Sequence, residues 1–379
     1  MSKRIFILTG GGLAPALNPT LYGVISEARQ NGFSALGGLF GWASLLDNGH
    51  FLDLKNFDIE VIKNGGGTFL RSSRTNPLLI PDGLEQIKGK IKELKIDAIV
   101  AVGGDDTLNT ARILNKEGLP VVGIPKTIDN DLSGTYFTPG FPSAAARLAG
   151  FCQEIKNDAA YALSRIFVIE ALGMKAGWLT CSAIYGGADV ILPPEAKVNL
   201  PYVLQKINQR YEKNGNFGVI VISQEAHFEE PLEVRAEQQT HDQYGHKRQS
   251  FICLALKEHI RSELGIETKA LYPGNLLETG QPITLDKNLA IELGKKAIQL
   301  VKENAFGLMP CIKRENNSQK LFIDTVPLDE AAGDGKYRAL PQEYFDNQEL
   351  LPNQNFLDYM EPILGKYQPE QDRRLITNF

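Results

Sequence analysis

Cysteine is scarce and scattered: Cys152, Cys181, Cys253 and Cys311 stand far apart among 379 residues, with no CxxC pair. That distribution excludes a disulfide-stapled scaffold and suits a reducing compartment, where thiols serve as small core side chains. No run of 18 apolar residues occurs, so no segment reads as a membrane-spanning helix. Met1 is followed by Ser2, Lys3, Arg4 and a short strand-like run, with no signal-peptide core. The chain therefore reads as cytoplasmic. Excess positive charge is missing too: the net charge is −5, with both signs interspersed. That balance argues against nucleic acid and membrane surfaces as partners. Internal repeats and low-complexity tracts are absent, and the glycine turns fit neither GxGxxG nor GxxxxGK[ST].

What is present suits a sizeable two-domain protein. The chain is 43% hydrophobic and 22% charged, enough apolar material for more than one core. Ile5–Leu8 reads as a strand, followed by a glycine turn and a helix over about Leu17–Arg29. Asp82 can cap a helix to about Leu94, before a strand at Ala98–Val102, a helix at Thr107–Asn115 and a strand at Val121–Ile124. A helix from Ser143 to about Asn157 resumes the rhythm, with strands at Ile166–Glu170, Ala188–Leu192 and Val219–Ser223. Such alternation predicts an α/β fold with a mostly parallel sheet flanked by helices, and two such sheets for a chain of this length. The expected division is 1–140 plus about 255–305 for one domain and 141–254 for the other, with 306–379 as a C-terminal extension packed on the core. His227–Ser250 is polar and reads as an exposed excursion. His241, Asp242 and His246 within it match no standard metal spacing, so a solvated loop is the better reading.

Chemistry concentrates in a few loops. Gly103-Gly104-Asp105-Asp106-Thr107 and Pro125-Lys126-Thr127-Ile128-Asp129-Asn130-Asp131 each follow an expected strand. At the carboxyl ends of neighbouring parallel strands, such loops face one crevice. Asp105, Asp106, Asp129 and Asp131 would repel one another there unless a metal ion, Lys126 or an abstractable proton gave them work. That inventory suits metal-assisted phosphoryl transfer. Gly10-Gly11-Gly12, at a strand-to-helix turn, is a plausible phosphate cradle. Gly65-Gly66-Gly67-Thr68 with Arg71, Ser72, Ser73 and Arg74 offers hydroxyls and guanidinium forks to oxyanions; a plain solvated loop is the alternative.

Together, Gly65–Arg74, Gly103–Thr107 and Pro125–Asp131 resemble the phosphofructokinase family, over Lys3 to about Asn304. Pro327–Ala331 and Tyr359–Gly365 resemble its longer members. The resemblance implies phosphoryl transfer to the 1-hydroxyl of fructose 6-phosphate. It implies Asp129 as general base, Asp131 as a second catalytic carboxylate and Thr127 as a hydrogen-bond donor to the moving group. Asp105 corresponds to the residue that organises Mg2+, the cofactor; Gly11 and Gly12 would give backbone amides to the phosphoryl donor, and Arg74 a charge near the transferring phosphate. Members that use ATP resemble GlyGlyAspGly and ProGlyThrIleAspAsnAsp in the two acidic loops, whereas this chain carries Asp106 and Lys126. A carboxylate at Asp106 occupies space and repels an α-phosphate, while Lys126 can neutralise the far phosphate of a shorter donor. The pair resembles the family's pyrophosphate signature, and the resemblance implies two Rossmann-like parallel-sheet domains with the active site in the cleft between them, the first as donor domain and the second as acceptor domain.

On the acceptor side the pattern departs. Leu172-Gly173-Met174, with Lys175 next, replaces a MetGlyArg-type run, and Asn275-Leu276-Leu277-Glu278 replaces a run ending in arginine. Lys269 stands at another family arginine, Glu225 (or its neighbour Gln224) at a sugar-contacting glutamate, and Arg165 resembles the arginine contributed across a subunit interface. A homodimer or homotetramer is therefore implied. Exchanging two phosphate-binding arginines for Met174 and Glu278 weakens a distal-phosphate site unless Arg71, Arg147 or Lys175 compensates. Three readings follow: a pyrophosphate-dependent phosphofructokinase with a rebuilt sugar site, the same donor chemistry on another acceptor, or a non-catalytic paralogue.

Overall fold

Strands whose residues are almost all apolar must be covered on both faces, which calls for a parallel sheet between helices. In the computed structural model, residues 2–162, 164–196, 198–229, 232, 251–316, 318–333, 335 and 337–368 are described. The elements in order begin with Arg4–Thr9 (β1), Leu17–Gln30 (α1), Ser34–Gly38 (β2), Phe51–Asp53 (β3), Gly83–Leu94 (α2), Ala98–Gly103 (β4), Asp105–Lys116 (α3), Val121–Pro125 (β5) and Phe141–Ala162 (α4). Ile166–Ala171 (β6), Trp178–Ser182 (α5), Val190–Leu192 (β7), Leu200–Lys213 (α6), Gly218–Ser223 (β8), Ile252–Leu264 (α7) and Thr268–Leu271 (β9) follow. The chain closes with Thr284–Glu303 (α8), Leu308–Arg314 (β10), Leu321–Pro327 (β11), Leu328–Ala331 (α9), Phe345–Asp346 (β12), Leu351–Pro352 (β13) and Gln354–Leu364 (α10).

The chain divides into two compact units, Met1–Ser143 with Glu278–Arg338, and Ala144–Leu277 with Ala339–Phe379. In the first, the sheet order is β3-β2-β1-β4-β5, parallel throughout except for β3 at the edge. α1 and α8 touch backbone to backbone. A Cβ on Gly23 would stand 2.1 Å from the Ile291 carbonyl oxygen, and one on Gly294 2.4 Å from that of Thr20. The antiparallel hairpin of β10 and β11, with α9, is part of the core itself: Met309, Cys311, Val326 and Leu328 cluster with Phe6, Ile99, Leu108 and Val121. β2 escaped the sequence reading because SerAlaLeuGlyGly carries little strand signal. Its glycines answer to packing, since a Cβ on Gly38 would lie 2.2 Å from Ser44 Oγ and 2.5 Å from the Phe6 ring.

The second unit holds an all-parallel sheet in the order β7-β8-β6-β9. Its last strand moves a boundary. β9 pairs with β6 from Ile166↔Thr268 to Ile169↔Leu271, so the return to the first unit comes at Glu278 rather than near 255. Nor does 306–379 act as one extension: 339–368 closes the second unit, with Phe356 and Met360 wholly buried and the Leu350 carbonyl accepting the Ile191 N–H at 2.9 Å. A smaller correction concerns Asp82. It precedes α2 with left-handed backbone, φ 55°, and its side chain makes no capping hydrogen bond. Among the described residues no helix is long and apolar enough to cross a membrane.

Candidate active site

In the first unit, three loops at the carboxyl ends of the adjacent strands β1, β4 and β5 gather one group of candidate residues. After β1, Gly11 takes φ +82°, its N–H bonded to the Ser73 carbonyl at 3.1 Å, while Ser72 Oγ donates to the Gly11 carbonyl at 2.7 Å. Thr9 Oγ1 donates to the Arg71 carbonyl at 2.8 Å, and Asn18 Nδ2 to that of Gly66 at 2.9 Å. The glycine turn and the 65–74 loop are therefore laced into one surface. Gly66 must remain glycine, because a Cβ there would meet the Gly280 carbonyl oxygen at 1.9 Å. Arg71 is exposed, its guanidinium 5.6 Å from the Phe40 ring centroid.

After β4, the helix begins two residues earlier than the pattern predicts, so Asp105 and Asp106 lie in the first turn of α3. Carboxylates are favoured there by the positive end of the helix dipole. Asp105 Oδ1 accepts the Gly333 N–H at 2.9 Å. After β5 comes Lys126, only 2% exposed, whose ammonium donates to the Gly12 carbonyl. Burial above all pulls that ammonium down to about 8, and Arg74 acts in the same direction, while Glu278, Asp129 and Asp131 hold it up. Thr127 Oγ1 accepts the Asp129 N–H and donates to Asp129 Oδ2, both at 3.1 Å. Burial, then Asp129 and Asp105, push the Asp131 carboxyl well above the usual carboxylate range.

Glu278 joins this donor-side group although its sequence alignment assigned it to the acceptor. A Cβ on Gly12 would stand 3.2 Å from Glu278 Oε1. Its carboxyl is pushed up to about 7 by burial and then by Asp129, against the pull of Lys126 and Arg74. Gly11, Gly12, Arg74, Asp105, Lys126, Thr127, Asp129, Asp131 and Glu278 thus share one charged neighbourhood, with Asp106 beside Asp105 on α3.

In the second unit the carboxyl ends of β6 and β8 bring Leu172, Gly173 and Met174 towards Gln224 and Glu225. Gln224 Nε2 lies 3.1 Å from Met174 Sδ, and the Glu225 N–H donates to Ser223 Oγ at 3.2 Å. Gly173 at φ +134° and Met174 at φ +49° make a sharp exit from β6. Asn275 lies on the turn after β9, exposed, and Arg147 donates to the Leu276 carbonyl at 2.9 Å. Two expected members stand apart. Arg165 precedes β6, at the amino end of the sheet, so a six-residue strand of about 20 Å separates it from Leu172. Lys269 is exposed on β9 opposite Phe167, again near the amino end. Arg165 Nε is buried with no hydrogen-bond partner among the described residues. His241, Asp242 and His246 lie outside the described residues.

Two contributors carry no motif. Arg338 donates to backbone carbonyls of the Asn130–Tyr136 loop. Buried Asp286 accepts the N–H groups of Gly140 (3.0 Å) and Ser143 (3.3 Å) and the Ser143 hydroxyl.

Parallel α/β sheets with a glycine turn, a buried ammonium and several carboxylates at the strand ends are an arrangement that suits phosphoryl transfer. The chain belongs to the phosphofructokinase family, matching the description Phosphofructokinase over residues 4–301. It is 35% identical to a pyrophosphate–fructose 6-phosphate 1-phosphotransferase of Dictyoglomus thermophilum, over 93% of this chain and 100% of that one. It is 30% identical to ATP-dependent 6-phosphofructokinase 3 of Streptomyces coelicolor, over 88% and 98% of the two chains. The crystal structure of a pyrophosphate-dependent phosphofructokinase from Marinobacter aquaeolei shares the fold, with a TM-score of 0.83 at 23% identity over 97% of this chain and 92% of that one.

Proposed function

We propose that this protein transfers a phosphoryl group from inorganic pyrophosphate to the 1-hydroxyl of fructose 6-phosphate. Relatives named for either donor resemble it, so donor choice rests on residues. The observation that carries the reading is the buried Lys126 ammonium on the Gly12 carbonyl. A cation fixed inside the glycine turn neutralises a compact dianion, while Asp106 in the first turn of α3 opposes the extra phosphate of a nucleotide.

The donor set suits Mg2+. One or two carboxylates plus phosphate oxygens are what this ion takes from a protein, and among the described residues no three ligating side chains form a cluster of their own. Asp105, with one oxygen bonded to the Gly333 N–H, would hold it, with Asp131 nearby. Bound there with pyrophosphate, the ion would neutralise charge on the transferring and leaving oxygens. Asp129, oriented by Thr127, takes the proton of the acceptor hydroxyl; Lys126 and Arg74 steady the phosphoryl oxygens, with Thr127 donating to the moving group. Orthophosphate leaves. Leu172, Gly173, Met174, Glu225 and Asn275 receive the sugar, and Arg165 and Lys269, remote from them within one chain, serve a neighbouring subunit of a homodimer or homotetramer. Four buried free cysteines suit a cytoplasmic setting.

A second reading, the same donor chemistry on an acceptor without a distal phosphate, is favoured by Glu278 and Met174 at the two altered positions. Mg2+-dependent phosphate release from pyrophosphate, with and without fructose 6-phosphate and with ATP as parallel donor, tests both. Release that requires both pyrophosphate and fructose 6-phosphate supports the first reading. No release with that sugar, followed by release with another polyol or sugar, supports the second; silence across all acceptors rejects both.

A further inference from the structure

We propose that Arg338 is a positioning residue for the loop that carries Asp129 and Asp131. Its guanidinium grips that loop through three carbonyls. Nη1 donates to Thr135 and Tyr136, each at 2.7 Å, while Nη2 and Nε donate to Asn130 at 2.8 and 3.2 Å. The Arg338 N–H adds a bond to the Asp131 carbonyl at 2.6 Å, and the next pair along, Leu132 and Tyr337, forms an antiparallel bridge. One residue from the C-terminal segment therefore spans both ends of 130–136.

The loop needs such a grip. Asn130, between the two carboxylates, sits at φ 59°, a left-handed conformation that asparagine tolerates better than most side-chain-bearing residues but still adopts at a cost, and its Oδ1 accepts the Thr138 N–H at 3.1 Å. Charge-assisted bonds from a planar fork can impose it; a lysine, with one compact charge, cannot span the same three carbonyls. The Arg338 charge also favours ionised Asp131 against the burial and the neighbouring carboxylates that oppose it. The segment leading to Arg338 is itself tied to the other acidic loop. The Gly333 N–H holds Asp105, and Asp329 on α9 pairs with Arg112 at 3.3 Å and Lys116 at 2.8 Å, both on α3. Because Arg338 acts through the carboxylates it steadies, its loss belongs in turnover more than in substrate affinity. A displacement of about 1 Å in a reacting group costs roughly 100-fold in rate.

The kinetic part rests on the reaction proposed above, so the test has an arm that needs no substrate. Full-length R338A and R338K are compared with the parent protein. In substrate-free hydrogen exchange, peptides covering 129–140 should lose protection in both variants while peptides from α1 and β4 stay unchanged. In turnover from pyrophosphate, kcat should fall about 100-fold with KM for the donor within about 3-fold. Millimolar guanidinium should recover part of the R338A rate, and equal sodium chloride should not. If R338A does not fold, R338K carries both arms. Unchanged exchange in 129–140 overturns the proposal, as does a kcat loss matched by exchange throughout the first unit and insensitive to guanidinium. An inactive parent protein would count against the reaction assigned, while the exchange arm would still decide the role of Arg338.

Discussion

At Glu278 the charge of the site is finely balanced. Its carboxyl is held up to about 7 and the Lys126 ammonium down to about 8, so near neutral pH both are close to titrating. An acid with a raised value is neutral below about 7 and ionised above it. In the proposed reaction its ionised form would compete with pyrophosphate for Lys126 and Arg74. Glu278→Gln should therefore lower KM for pyrophosphate at pH 8, but only a few-fold, because the roughly tenfold relief of short-range Coulomb competition is partly offset by earlier deprotonation of Lys126, which Glu278 holds up. It should leave KM nearly unchanged at pH 6; equal effects at both would mean that Glu278 does not act by charge. Asp106→Gly with Lys126→Gly removes both the repulsive carboxylate and the buried cation. The ratio of kcat/KM for ATP to that for pyrophosphate should rise, and a ratio left in place would remove these two positions from donor choice. Asp129→Ser should cut kcat about 1000-fold, within the range for a lost general base, with the circular dichroism spectrum retained; near-normal turnover would end its assignment as the base.

Elements hold these residues still. The loop with Asp129 and Asp131 runs from β5 to α4, and at its far end Asp286, near the start of α8, accepts from Gly140, Ser143 N–H and Ser143 Oγ. Thr127 and Gly140 bridge across the loop base, so the grip of Asp286 reaches the residue that orients Asp129. Asp286→Ala would leave buried donors unpaired at a cost on the order of 3 kcal/mol, visible as a lower urea midpoint, while Asp286→Asn, with one acceptor oxygen, should cost less. Equal stability of parent and alanine variant would show that water replaces the carboxylate. The acidic loops were legible in the sequence because each is a contiguous run at a strand end. Arg338 and Asp286 were not, since their partners lie 208 and 146 residues away and neither sits in a motif. Thr107–Asn115 was recognised as helical, but not that Asp105 and Asp106 open the helix, because two adjacent carboxylates read equally well as loop. β9 was missed for a related reason: ThrLysAlaLeu is too short to announce the strand that moves the boundary to 278.

At the scale of the whole molecule, the C-terminal segment is shared between two cores. Up to Arg338 it belongs to the first unit, where β10, β11 and α9 fill the core beside the donor loops. From Ala339 it belongs to the second. There Trp178 packs against Tyr359 at 4.6 Å between ring centroids and edge-on to Tyr344 at 5.8 Å. Glu349 pairs with Arg210 at 2.5 Å and Lys206 at 3.1 Å, both on α6, and Glu195 Oε1 joins the N–H groups of Gly177 and Leu340 at 2.9 and 2.8 Å. Leu350, Phe356 and Met360 are wholly buried and Ile363 nearly so. At about 1.5–3 kcal/mol for each buried apolar side chain, these contacts rival the entire stability of an ordinary domain, about 5–15 kcal/mol. A chain ending at Arg338 keeps every donor-side residue and every strand of both parallel sheets, yet exposes the Trp178 face of the second unit. It should be poorly soluble, or cleaved by dilute protease within 144–277 while fragments covering 1–143 and 278–338 survive together. A soluble, protease-resistant chain of 338 residues would mean that the second sheet and its helices suffice alone, and that 339–368 is an ornament on a unit already closed.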